Sequence, residues 1–152
     1  MRKELSLDFD IQSQPDEVTC GPTCLHALYQ YYGEDISLKQ VIREVKQLKA
    51  GGTLAVMLGN HALQRGYKAY IYTYNLNVFD PSWFKHGSKK IIHYLRKQMN
   101  FKYKRRKLQT ASKAYIKFLE SGGELKYHEL DEKLIKSYLK RSIPLLTGLS
   151  AT

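Results

Sequence analysis

The sequence predicts an α+β fold on three observations. Most apolar residues recur at intervals of three and four, the helical period. Two stretches, 67–74 and 124–130, alternate instead with the period of a strand. Glycines, singly or paired, punctuate the helical stretches. At 152 residues the chain suits one domain, 1–152, large enough to bury a core without disulfides. A hydrophobic content of 43% with only four prolines is ordinary for a globular protein and argues against global disorder.

Taken in order, Leu5, Leu7, Phe9 and Ile11 alternate as in a short strand, which Gln14-Pro15 interrupts. From Gly21 to Tyr32 a helix follows, with Leu25, Leu28, Tyr29 and Tyr32 on one face. Pro22 suits its first turn, where a missing backbone donor costs nothing. Gly33 is its expected C-cap, and Ser37-Leu-Lys-Gln40 has the form of a capping box. That box opens a helix to about Leu48, with Val41, Ile42 and Val45 inward, and Gly51-Gly52 breaks it. Thr53 opens a third helix to Arg65, carrying Leu54, Met57, Leu58, His61 and Ala62 along one side, with Gly66 at its end.

Tyr67 to Tyr74 favours a strand. Asp80-Pro81 turns the chain into a helix weakly interrupted at Gly87 and continuing through Ile91, Ile92 and Leu95. A charged, aromatic connection spans 101–107, and a helix spans 108–120, ended by Gly122-Gly123. Glu124 to Leu130 reads as a second strand, and Asp131 starts a helix to Arg141. Ile143 to Gly148 reads as the start of a buried strand with proline near its beginning.

The formal charge of +11 is unevenly placed. Twelve lysines and arginines lie from Lys85 to Lys117, and no acidic residue lies between Asp80 and Glu120. Elsewhere thirteen basic residues face fourteen acidic ones, so the asymmetry is local. Two readings follow: a solvated helical face, or capture of an anionic partner such as nucleic acid, a phospholipid surface or an acidic peptide. Tyr94, Phe101 and Tyr103 among the lysines suit stacking on bases. No apolar run approaches the roughly 20 residues of a membrane span, and nothing at the start resembles a signal segment. The expectation is a soluble, cytoplasmic protein.

The chemistry-bearing stretch is Gln14 to Cys24, where a polar loop turns into a helix at Cys20. A thiol at a helix start meets free N–H groups and the positive end of the helix dipole, both of which favour the thiolate. Cys24, one turn on, reads as a small buried hydrophobe. A disulfide between the two is disfavoured, because four residues of helix point their Cβ vectors in nearly the same direction. No further Cys or His pair stands at ligand spacing, so no metal and no cofactor are expected.

Gln14, Cys20-Gly-Pro-Thr-Cys-Leu25, Tyr31-Tyr32-Gly33 and Ser37-Leu38 together resemble the N-terminal half of the bacteriocin-processing double-glycine peptidases, which are papain-like cysteine peptidases. Gly52-Thr53-Leu54 with Gly66-Tyr67 resembles a second motif of that family. Ile143-Pro144-Leu145-Leu146 resembles its strand before the catalytic histidine. The resemblance implies a papain-like fold, N-terminal helices on an antiparallel sheet, with 80–120 a basic helical insertion.

It also implies that Cys20 attacks a carbonyl carbon of a peptide or protein substrate. Gln14, with the Cys20 N–H, would hold the developing oxyanion. A histidine and an orienting Asp or Asn are expected after the Ile143–Leu146 segment, beyond Thr152, and catalysis is conditional on them. Among the five histidines present, His26 and His61 fall on helices, His86 and His93 in the basic stretch, and His128 near a strand end is the least poor substitute. The alternative reading is a non-catalytic peptidase-fold module that holds a peptide or anionic partner through its cleft or the basic stretch.

Overall fold

Six α-helices and two short strands form among residues 4–148, which the computed structural model describes. They are α1 (Cys20–Tyr31), α2 (Leu38–Glu44), α3 (Ala55–Gln64), β1 (Tyr70–Thr73), α4 (Ser88–Phe101), α5 (Arg106–Glu120), β2 (Glu124–Tyr127) and α6 (Glu132–Leu139), with a 3-10 turn at Pro81–Lys85. By compactness the chain divides into two units, residues 4–53 with 130–148, and residues 54–129.

The first unit holds α1, α2 and α6. Leu25, Ala27 and Tyr29 of α1 are buried, as are Ile36, Val41 and Val45 around α2, so the helical periodicity translates into packing. The turn between α1 and α2 is closed by Gly33, whose left-handed backbone carries its N–H to the Gln30 carbonyl. Ser37 caps α2 by accepting the Gln40 N–H at 3.1 Å. The other half of the expected capping box does not form: the Gln40 amide donates to Glu44 instead, at 2.8 Å.

α2 ends at Glu44, four residues before the expected Leu48, because Val45 turns to extended backbone. At the other end of the unit, Asp131 caps α6 through the Leu134 N–H. Tyr31 Oη donates to the Ser142 carbonyl at 2.9 Å, tying α1 to the segment after α6.

Two expected strands of this unit are absent among the described residues. Leu5 to Ile11 has no regular secondary structure and joins no ladder, and the Phe9 ring instead stacks on Tyr31 with centroids 5.1 Å apart. Residues 143–148 likewise have no strand, and residues 149–152 lie outside the described range. An isolated strand has no partner for its backbone groups, and no strand lies among the described residues of this unit to provide one.

The second unit holds α3, β1, α4, α5 and β2. The strands pair, and they pair in parallel, with Tyr70 opposite Glu124 and Thr73 opposite Tyr127. This corrects the expected antiparallel sheet. Parallel pairing needs a long crossover, and the 74–123 stretch with α4 and α5 supplies it.

Phe118 of α5 is fully buried, and it lies where both Gly59 of α3 and Gly123 before β2 leave room for its ring. A Cβ on Gly59 would stand 2.8 Å from Phe118 Cε2. Ile91 and Leu95 of α4 join Leu108, Ala111, Ile116 and Leu119 of α5 in one apolar cluster with Val78 and Phe79. The basic stretch therefore turns its apolar stripe into a core and its charges to solvent.

Candidate active site

The site is built on the loop that leads into α1. Asp16 organises it: its carboxylate oxygen Oδ1 accepts the Val18 N–H at 2.9 Å, an Asx turn, and its carbonyl accepts the Gln14 amide Nε2 at 2.7 Å. Thr19 Oγ1 also donates toward the Asp16 carbonyl, at 3.4 Å. Thr19 is buried and occupies the N-cap position without a side-chain cap bond, while its own carbonyl accepts both the N–H and the hydroxyl of Thr23. This anchors the loop to the helix one residue before the thiol.

Cys20 is the first helical residue and is exposed. Backbone amides of an opening turn have no carbonyl partner within the helix, and Pro22 removes one of them, so the Cys20 and Gly21 N–H groups lead at this end. Gln14 is also exposed, six residues upstream, with its side chain folded onto the loop rather than out to solvent.

Cys24 sits one turn further along, half-buried and free like Cys20. Burial raises its thiol above the ordinary range, and the neighbouring Cys20 raises it further through charge and a side-chain hydrogen bond. The two sulfurs thus have different environments: one open, one shielded.

Sequence reasoning missed two parts of this site. Asp16 was given no role, although its turn-forming part was legible in the Pro-Asp-x-Val pattern, since Asp commonly bonds the backbone two residues on. Gly51 read only as a helix stop. Its backbone is left-handed, and a Cβ there would come within 3.0 Å of Val18 Cγ1, so it also packs beneath the cysteine loop. No local sequence signal reports that approach.

The five histidines divide between the two units. His26 is in the same unit as Cys20 but is buried, with Nε2 3.0 Å from the Ile36 carbonyl and Nδ1 enclosed without a hydrogen-bond partner among the described residues. His61 is buried in α3 of the other unit. His86 and His93 are exposed there, and His128, just after β2, has Nδ1 2.5 Å from the Glu129 carbonyl and its ring edge-on to Tyr72. Among the described residues no cluster of three His, Cys, Asp or Glu is placed to hold a metal ion, and no helix is long and apolar enough to cross a membrane.

Comparison with known proteins finds no matching curated protein and no matching solved structure. The sequence model of the peptidase C39 family, however, matches residues 8–109, a span that includes Gln14, Cys20 and the α1–α3 helices. That match covers well over half of the chain, and on it the chain belongs to the peptidase C39 family, a family of papain-like fold.

Proposed function

We propose that this chain provides the nucleophile and the oxyanion donors of a cysteine peptidase, with Cys20 as nucleophile and Gln14 as side-chain donor. The observation that carries the reading is the exposed Cys20 thiol at the first position of α1, flanked by unpaired helix-start amides and by a loop that holds Gln14. In the reaction a histidine takes the thiol proton and Cys20 Sγ attacks the carbonyl carbon of a peptide bond. The carbonyl electron pair moves to oxygen, where the Cys20 N–H and the Gln14 amide receive it. Collapse breaks the C–N bond, and the leaving amine takes the proton back from the imidazolium. Water then hydrolyses the thioester and restores the thiol.

His26 does not suit the base, because its ring is enclosed and one nitrogen faces the Ile36 carbonyl. The resemblance of Ile143–Leu146 to the segment that leads to the catalytic histidine assigns the base to a residue C-terminal to it. The substrate is a peptide or protein chain, as the family relationship suggests.

The test is labelling by a thiol-directed alkylating probe near neutral pH, located by peptide mass mapping. Cys20 should react faster than Cys24, and a peptide carrying an electrophilic carbonyl should add to Cys20 and not to a Cys20→Ala variant. Equal, slow labelling of both thiols, with peptide binding intact in Cys20→Ala, would instead establish a non-catalytic peptide-binding module.

A further inference from the structure

We propose that the α4–α5 hairpin binds single-stranded nucleic acid, its cations following the phosphates and Phe101 and Tyr103 stacking on bases. Three observations meet here. The first is the outer stripe of α4, where exposed Lys89, His93 and Lys97 succeed one another every four residues. Each is about 6 Å further along the helix axis. No carboxylate interrupts the stretch between Asp80 and Glu120.

The second is the tip, residues 101–107. Phe101 is 86% exposed and Tyr103 68% exposed, unusual for large rings in a chain that buries its other phenylalanines more deeply. They alternate with Lys102 and Lys104, and Lys104 Nζ lies 5.8 Å from the Tyr103 ring centroid. Tyr94 does not share this role, since its ring stacks on Trp83.

The third is that the tip is built. Gln109 of α5 donates from Nε2 to the Met99 carbonyl at 3.0 Å and to the Lys102 carbonyl at 3.2 Å, tying the end of α4 to α5. The Arg105 N–H reaches the Lys102 carbonyl at 3.0 Å, so the turn between the helices is closed. The rings are therefore presented from a fixed turn. The start of α5 also faces this end and has no acidic residue in its first turn, which suits a phosphate.

A linear polyanion fits these features better than a membrane. Interfacial helices place an apolar face at the acyl boundary, whereas α4 and α5 turn theirs into the core. Cations continue from the tip along both helices, with Lys89 and Lys97 on α4 and Lys113 and Lys117 on α5. Exposed aromatic rings among cations supply what single-strand binders use: electrostatic tracking with sequence-tolerant stacking.

The test is fluorescence anisotropy of labelled oligouridylate and oligodeoxythymidylate with the 152-residue chain. Tight binding at low salt should weaken roughly 100-fold between about 50 and 200 mM salt, as for about five neutralised phosphates. Phe101→Ala with Tyr103→Ala keeps the charge and should lower affinity about tenfold or more. A duplex of the same length should bind more weakly, and Cys20→Ala should bind as the parent does, which separates this inference from the thiol chemistry.

Circular dichroism confirms that each variant is folded, and Lys104→Gln with Lys107→Gln gives a second, ring-independent loss. Any of three results overturns the inference: no oligonucleotide binding, full affinity in the double aromatic variant, or tighter binding to phosphatidylcholine vesicles containing one-quarter phosphatidylserine. Equal competition by polyglutamate would likewise reduce the surface to unspecific charge.

Discussion

Gln14 and Asp16 are joined within the cysteine loop: the Gln14 side-chain amide donates to the Asp16 carbonyl at 2.7 Å. One N–H of the proposed oxyanion donor is thereby oriented by its own loop, leaving the second for a substrate oxygen. Gln14→Ala should slow the addition of Cys20 to a peptide carrying an electrophilic carbonyl by about 100-fold or more with little change in peptide affinity, because the lost donor acts on charge that develops only as the carbonyl is attacked. A change confined to peptide affinity would remove Gln14 from the oxyanion site.

Asp16 bonds the backbone and side chain of its own loop, through the Val18 N–H and the Gln14 amide. Asp16→Ala removes the acceptor of the Val18 N–H and should slow reaction at Cys20, whereas Asp16→Asn keeps that acceptor and should restore most of it. Alkylation rates of Cys20 in the two variants check this, since a role as a charge alone would make them equally slow.

For the thiol pair the direction of the shift sets the pH profile. Cys24 is held above the ordinary thiol range by burial and then by Cys20, so near neutral pH it is protonated and slow to alkylate. Its rate should rise only at alkaline pH. Cys20→Ser removes the neighbouring thiol that raises Cys24 and should move the Cys24 profile to lower pH, read as the midpoint of labelling rate against pH.

Gly123 is a test of packing. A Cβ there would collide with the Phe118 ring, so Gly123→Ala should destabilise by about 1–3 kcal/mol in urea unfolding. Phe118→Leu alone should also destabilise, since it leaves space in a fully buried site, and in that background the Gly123→Ala penalty should shrink. Additive losses would show that the two do not meet.

The Asp131 cap is simpler. Its carboxylate accepts the Leu134 N–H at 2.7 Å, and Asp131→Ala should cost about 1 kcal/mol, with Asp131→Ser recovering much of it. Thermal unfolding of the three proteins checks the order.

By itself the sequence determined the helices, the position of the thiol and the charge asymmetry. These are local properties: apolar spacing, Gly33 and Ser37 at helix ends, and Cys20 immediately after a turn-rich loop all act within a few residues. The family was legible for the same reason, since Gln14 and Cys20 lie on one short stretch.

Tertiary structure alone decided the parallel direction of β1 and β2, because pairing depends on how the 74–123 crossover returns the chain, and alternation is blind to strand direction. It decided that Leu5–Ile11 and residues 143–148 form no strand, since a strand exists only with a neighbour to complete its hydrogen bonds. It decided, too, that Gly51 serves the cysteine loop and that Gly59 and Gly123 serve one ring, contacts between residues far apart in the chain or set by close approach. Local physics specifies which groups can react; the packing of distant segments specifies which of them are held in place.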